Sequence, residues 1–281
     1  MIVRIACVQM EPIVGDKAGN IAKAVARIEE AADNGAQLIV LPELCNSGYV
    51  FDSMEEARAL SEPFPGGETS EAFSAVAARR GVHLVAGVNE RDGEHLYNAS
   101  VLIGPEGHIG TFRKVHLWNE ENRFFTPGNL GFPVFDTPLG RLASMICYDG
   151  WFPESYRECA IKGADIVCVP TNWVPINGQR ADREAMANIL VMSAAHSNSV
   201  FIACADRVGT ERGQPFIGQS LICSYTGWPI GGPARPDAEE IIYADADLGD
   251  PARRSAWNQF NKNPLGDRRP QQYDALEAAQ G

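Results

Sequence analysis

The stretch ASMICYDGWFPESYRECAIKGADIVCVPT, residues 143–171, reads as strand, tight turn, helix and strand in succession. Leu142 to Ile146 form a buried, strand-like run, and Cys147 to Gly150 make a turn where that run ends. Pro153 opens a helix, a position where its missing N–H costs nothing. The helix runs to Lys162, Gly163 closes it, and DIVCVP is strand again. Two buried strands joined by a helix are the building unit of an α/β domain.

The same alternation continues in both directions. Ile2–Gln9 is a β-rich opening strand. Asn20 makes an N-cap for a helix with Ile21, Ala24, Val25, Ile28, Ala31 and Ala32 on one face, ended by Asn34-Gly35. AQLIVLPE follows as a buried strand, and Thr69 or Ser70 caps a helix through Arg80 that stops at Gly81. VHLVAGVNE and LYNASVLIG are strands about the turn Arg91-Asp92-Gly93, and Pro105-Glu106-Gly107 turns into HIGTFRKVHL. PVFDTP and RLASMIC flank Leu139-Gly140. A helix from Asp182 to Asn198 and the strands VFIACAD, QSLICS and EEIIYADADL complete the pattern. Helices alternating with buried strands and mixed with hairpins predict an α/β fold with a mixed sheet or sheets.

One internal echo stands out. NGAQLIVLPE (34–43) and KGADIVCVPT (162–171) share a helix-ending glycine, an alanine, a buried strand and a proline near its end. This is either common punctuation or the mark of two similar half-sheets. In the second case Glu43 and Asn172-Trp173, just past those strand ends, face one cavity.

The totals bound the function class. The chain has 281 residues with no Ser/Gly tract, Pro-rich run or long block of like charge, which predicts one domain over 1–281 with a C-terminal tail after about residue 250. No run approaches the roughly 18 apolar residues of a membrane span. The opening Met1–Met10 has neither a basic region nor a cleavage site and reads as strand, not signal peptide. Seven scattered cysteines without C-x-x-C pairs argue against a disulfide framework or zinc site and for a reducing cytoplasm. A formal charge of -12 disfavours nucleic acid and anionic membranes as partners.

Three residues with usable chemistry sit at the ends of these strands. Glu43 follows Leu38-Ile39-Val40-Leu41-Pro42, Lys114 lies in TFRKVHL, and Cys147 ends RLASMIC. Each alone has a plain reading: a solvated loop acid, a surface lysine, a packed thiol. Alternation along the strand would put Phe112, Lys114 and His116 on one face. Jointly they supply what thiol chemistry needs: a base to make the thiolate, and an ammonium plus a backbone N–H, here that of Tyr148, to hold an oxyanion. The five histidines form no Cys-His-Asn set, and His116, the one near these positions, reads as structural.

LPELCNSGY around Glu43, FRKVHLWNEENRFFTPG around Lys114 and ICYDGWFPE around Cys147 resemble the signature segments of the nitrilase superfamily of carbon–nitrogen hydrolases. The order and approximate separations agree, and the opening ACVQM and the closing stretch from Asp245 are similar too. The resemblance implies an α-β-β-α sandwich, pairing into a four-layer dimer, with catalytic Glu43, Lys114 and Cys147. It also implies a second glutamate in the loop after the lysine. That loop holds Glu120 and Glu121, and counting back from Thr126-Pro127-Gly128 favours Glu121.

The implied chemistry uses no metal and no cofactor. CYD followed by FPE is more similar to amidase-type branches than to true nitrilases, so the expected substrate is a small, aliphatic carboxamide. An N-carbamoyl-amide hydrolase or a nitrilase with the same residues is the rival. A non-catalytic binding member with a redox-sensitive Cys147 is the alternative of another class. Tyr49, Trp118, Trp151, Phe152, Asn172 and Trp173 lie close to the motifs and are candidates for lining a small-molecule pocket, against a plain reading as core or subunit interface. No Arg or Lys position stands out as a clamp for a substrate carboxylate; Arg180 and Arg183 are candidates that no motif supports.

Overall fold

Along Ile2–Gln9, Val3, Ile5 and Cys7 enter one core while Ala6 and Val8 enter another. A strand apolar on both faces must lie between two packed layers, because successive side chains point to opposite sides. The computed structural model describes residues 1–179 and 184–273 and shows which layers these are.

In the first half, β1 (Ile2–Gln9), α1 (Lys17–Asp33), β2 (Leu38–Val40), α2 (Met54–Ala59), α3 (Glu68–Arg80), β3 (His83–Asp92), β4 (His95–Gly104) and β5 (Gly107–Arg113) follow one another. The second half runs β6 (Val134–Thr137), β7 (Gly140–Ser144), α4 (Pro153–Ile161), β8 (Ile166–Pro170), α5 (Met186–Asn198) and β9 (Phe201–Ala205). A small hairpin of β10 (Thr210–Glu211) and β11 (Gln214–Pro215) precedes β12 (Leu221–Cys223), β13 (Pro229–Gly231) and β14 (Glu240–Asp247).

Two six-stranded sheets form, in the orders β14-β1-β2-β3-β4-β5 and β13-β12-β9-β8-β7-β6. Ala24 and Ile28 of α1 and Phe73 and Val76 of α3 pack on the outer face of the first sheet. Val3, Ile5, Leu38, Leu142, Ile166 and Phe201 meet between the sheets. Tyr156 of α4 and Val191 of α5 cover the outer face of the second. The result is the expected α-β-β-α sandwich.

The two sheets repeat one pattern. From β14 to β5 the pairings run antiparallel, parallel, parallel, antiparallel, antiparallel. From β6 to β13 they run the same way. β2 and β8 therefore hold equivalent places, each with parallel neighbours on both sides, and these are the strands of the echoed segments. The glycines before them, Gly35 and Gly163, both adopt positive φ, +82° and +88°.

Several element boundaries differ from expectation. Helix α1 starts at Lys17 because Asp16, not Asn20, caps it by accepting from the Gly19 N–H. Asn20 is buried one turn in, where its side chain accepts from the Ile13 N–H and donates to the Ile13 carbonyl. Helix α3 is preceded by Gly67, and Thr69 and Ser70 lie inside it, both buried. Helix α5 begins at Met186 rather than Asp182: Glu184 and Ala185 are not helical, and Asp182 lies outside the described residues. Strand β5 stops at Arg113, so the alternation that grouped Phe112, Lys114 and His116 does not extend to His116. Helix α2, capped by Ser53, and strand β13 were not anticipated. Past Asp250 the chain forms short 3-10 turns at Pro251–Arg254 and Pro270–Gln272.

Candidate active site

Three strand ends converge. Glu43 lies just beyond β2, and its backbone crosses so close to β3 that a Cβ on Gly87 would sit 2.4 Å from the Glu43 Cα. Only glycine permits that approach, which is held by Gly87 N–H to Pro42 O at 3.1 Å and Cys45 N–H to Gly87 O at 2.9 Å. Lys114 is the first residue past β5, and its N–H donates to the Asn98 carbonyl of β4 at 2.8 Å. Cys147 opens a 3-10 turn, Cys147–Trp151, and is the third residue past β7. Its φ of +45° is a strained conformation for a residue with a Cβ, the kind a turn holds when it must present one side chain.

Asp149 secures that turn. Its Oδ2 accepts from the Ile146 N–H at 3.1 Å. Its Oδ1 accepts from the His116 N–H at 2.9 Å and meets His116 Nδ1 at 2.7 Å. The carboxylate thus ties the cysteine turn to the loop that follows Lys114, and His116 has a structural place, stacked on Phe152 at 3.7 Å.

The side chains meet around one ammonium. Lys114 Nζ donates to Glu43 Oε1 and to Glu121 Oε1, each at 2.6 Å. Asn98 Nδ2 also donates to Glu43 Oε1, at 2.6 Å. Glu43 Oε2 is buried and has no hydrogen-bond partner among the described residues. Glu121 takes two more donors, the Tyr49 hydroxyl at 2.6 Å and the Trp118 N–H at 3.3 Å. Of the two neighbouring glutamates, Glu121 is the buried one, while Glu120 is exposed and pairs with Arg123. Asn172 Nδ2 donates to the Glu43 carbonyl at 2.9 Å, joining the ends of the equivalent strands β8 and β2.

Residues 4–253 match the family model described as carbon-nitrogen hydrolase. The chain belongs to the carbon-nitrogen hydrolase family. It is 44% identical over 246 residues to a protein named nitrilase from Pyrococcus abyssi, covering 88% of this chain and 90% of that one. It is 30% identical over 288 residues to the citrullinase of Francisella tularensis, covering 98% of each. Among solved structures it is similar to the amidase of Nesterenkonia sp. AN1, with 27% identity, a TM-score of 0.79 and coverage of 97% and 96%, there as a cysteine-to-alanine mutant in complex with butyramide.

In this carbon-nitrogen hydrolase the buried charges shape one another. Burial pushes the Cys147 thiol up, the nearby Glu43 charge adds to the effect, and Lys114 opposes it, with a net shift well upward. Both burial and the Glu43 charge thus favour the protonated thiol over the thiolate. For Lys114, burial pulls downward, but Glu121 and Glu43 outweigh it and keep the ammonium charged. Glu121 is pushed up to about 7, first by burial and then by Glu43, against the pull of Lys114.

A small cavity of about 20 Å³ adjoins the cysteine, lined by Trp118, Cys147, Tyr148, Trp151, Asn172, Trp173, Val174 and Ile176. That is room for little more than one water. A second cavity of about 280 Å³ shares Trp118 and Val174 with the first and has Tyr49 and Glu121 on its wall. Trp118, Trp151, Asn172 and Trp173 thus border the cysteine cavity, whereas Tyr49 meets Glu121 and the neighbouring cavity. Phe152 lines neither and packs on His116. Arg180 and Arg183 lie outside the described residues.

Sequence reasoning passed over Asn98, Asp149 and Asp206, whose Oδ1 accepts from the Trp173 N–H. Asn98 had a signal: it is an amide inside the otherwise apolar strand LYNASVLIG, where a buried polar group needs a partner. Asp149 had a weaker one, a carboxylate two residues past the thiol and fully buried.

Proposed function

We propose that this carbon-nitrogen hydrolase is an amidase that converts a small, aliphatic carboxamide to carboxylate and ammonia through a thioester on Cys147. The observation that carries the reading is the shared ammonium of Lys114 between Glu43 and Glu121, set beside a thiol in a strained turn. Glu43 Oε2, buried and unpartnered, is the oxygen available to take the thiol proton. The sulfur attacks the amide carbon, and the oxyanion is held by Lys114 Nζ and the Tyr148 N–H. As the C–N bond breaks, Glu43 returns its proton to the departing nitrogen, which leaves as ammonia. Glu43 next takes a proton from water, the hydroxide adds to the thioester carbon, and the C–S bond breaks. The sulfur recovers its proton from Glu43. Glu121 orients Lys114 and the substrate or water.

The choice of a neutral aliphatic amide is supported by the lining at the cysteine, which among the described residues holds aromatic and aliphatic side chains and the amide of Asn172, with no cationic group. The butyramide bound by the Nesterenkonia amidase is of that class. The citrullinase relative keeps carbamoyl compounds as the rival. The reading extends to one domain, a homodimer or larger assembly and a cytoplasmic setting. No helix among the described residues is long and apolar enough to cross a membrane.

Ammonia release from a panel of small amides, matched nitriles and N-carbamoyl amino acids tests the proposal, with Cys147→Ala alongside. Turnover of amides that disappears in the variant is the expected result, a loss larger than the ~2.7–4 kcal/mol attached to one oxyanion donor. Preference for carbamoyl compounds or nitriles overturns the substrate class. Oxidation of Cys147 with no acyl adduct to any of the panel would favour the non-catalytic alternative.

A further inference from the structure

The site leans on a buried ion pair that the mechanism does not use. Arg207 follows β9 and Glu211 lies on β10, and their side chains are 1% and 5% exposed. Arg207 Nη1 donates to Glu211 Oε1 at 3.0 Å, and Nη2 donates to the Pro12 carbonyl at 2.9 Å. The guanidinium lies 4.1 Å from the centre of the Phe216 ring. The other carboxylate oxygen, Glu211 Oε2, accepts from two successive backbone N–H groups, Tyr49 at 2.7 Å and Val50 at 2.6 Å. The Tyr49 ring stands edge-on to Phe216 at 5.9 Å, and its hydroxyl donates to Glu121.

An isolated buried ion pair is weak support for stability, because removing two charges from water offsets their attraction. Here each carboxylate oxygen has a separate task, one toward the guanidinium and one toward the tyrosine backbone. Only an ionised carboxylate serves both. We propose that Arg207 and Glu211 form a positioning unit that fixes the Tyr49 backbone, keeps its hydroxyl on Glu121, and thereby sets the pH at which Glu121 ionises. This depends on Glu121 belonging to the working site, as proposed above.

The groups that face Glu121 define the sign. Lys114 Nζ, the Tyr49 hydroxyl and the Trp118 N–H all donate to it, while Glu43 and Cys147 are the acidic groups nearby. Every hydrogen-bond partner is a donor, so the cage favours the carboxylate form. Removing one donor raises the pH of ionisation. Glu211→Gln offers one acceptor oxygen where the carboxylate offers two, so either Arg207 or the Tyr49 backbone meets an opposing N–H.

The test reads the pH dependence of Cys147 alkylation by iodoacetamide in the full chain, which needs no amide substrate and so is independent of the amidase reading. The wild type should show an inflection near neutrality, where Glu121 titrates. Tyr49→Phe should move it upward by about half a pH unit or more, and Glu211→Gln should move it the same way. The double variant should move it no further than Tyr49→Phe alone, since Glu211 acts through that hydroxyl. If Glu211→Gln does not fold, Arg207→Lys, which keeps the charge but loses the planar fork that spans Glu211 and the Pro12 carbonyl, should give the same upward movement. An inflection unmoved in the folded Glu211 or Arg207 variant, with rates lowered equally at every pH, would overturn the proposal. So would a double variant that moves beyond Tyr49→Phe.

Discussion

Asn172 reaches across the sandwich to hold the backbone of Glu43, its Nδ2 lying 2.9 Å from the Glu43 carbonyl oxygen. The two residues are 129 positions apart in the chain and stand just past equivalent strands of the two sheets. The contact fixes where the carboxylate sits relative to the thiol, and positional errors of about 1 Å at a reacting centre cost on the order of 100-fold in rate. Asn172→Ala should therefore lower kcat by tenfold to a hundredfold by that reasoning, with Cys147 still present and alkylatable. Steady-state kinetics beside a thiol-labelling control distinguishes this from unfolding.

If Glu121 works as proposed, activity and stability should respond to pH in opposite directions. Its value is pushed up from 4.5 to about 7, by burial first. The folded state then holds a proton that the unfolded state has released across that window, so stability should fall as pH rises from 4.5 to about 7. Activity should rise through the upper end of the same window, because the donors around Glu121 are arranged for its anion. Melting temperatures and kcat/KM across this range check both limbs. Glu121→Gln should flatten the stability slope that belongs to this group.

Gly87 is the contact point that lets Glu43 lie against β3. Adding a methyl at a site where it meets the Glu43 Cα at 2.4 Å forces backbone movement. Gly87→Ala should destabilise by about 1–3 kcal/mol and cost activity beyond what the stability loss explains. Gly93→Ala supplies a contrast for space alone, since nothing lies within 4 Å of its added methyl, although its φ of +57° still carries strain. A Gly87 variant with unimpaired turnover would show that Glu43 tolerates displacement.

Asp149 should matter for stability as well as rate. Its two oxygens take N–H groups from Ile146 and His116, and it is fully buried. Asp149→Ala leaves those donors without partners, at about 1–3 kcal/mol for each buried group. For a chain of this size that corresponds to a melting-temperature drop of about 2–4 °C per kcal/mol. Thermal denaturation measures it, and a Cys147 that alkylates at the wild-type rate in the variant would sever the link between this carboxylate and the cysteine turn.

Much of this arrangement was legible in advance because strands end where their apolar runs end. LIVLP before Glu43 and the run through Ile146 before Cys147 located both residues at strand ends, and the echo of residues 34–43 in 162–171 pointed to equivalent strands. Lys114 was placed beside them by resemblance and by its own motif, but the alternation argument failed one residue past Arg113, where the ladder stops. Helix starts were the weakest reading. Asp16 and Asn20 are both capping residues, and which one caps depends on which faces the interior, a property of packing and not of residue type. Glu120 and Glu121 are adjacent and chemically alike, and there the count back from Thr126-Pro127-Gly128 favoured the one that turns inward, Glu121.

The sequence by itself determined the layered α/β architecture, because periodicity and turn chemistry act over neighbouring positions, and resemblance to the family's signature segments pointed to Glu43, Lys114, Glu121 and Cys147 as candidates. The tertiary structure alone decided the pairings: Asn98 with Glu43 across 55 positions, Lys114 with Glu43 across 71, Tyr49 with Glu121 across 72. These partners meet only after β2, β4 and β5 have paired into one sheet and brought their ends side by side. The burial that follows is what shifts the ionisation of Lys114, Glu121 and Cys147, and no local pattern in the chain encodes it.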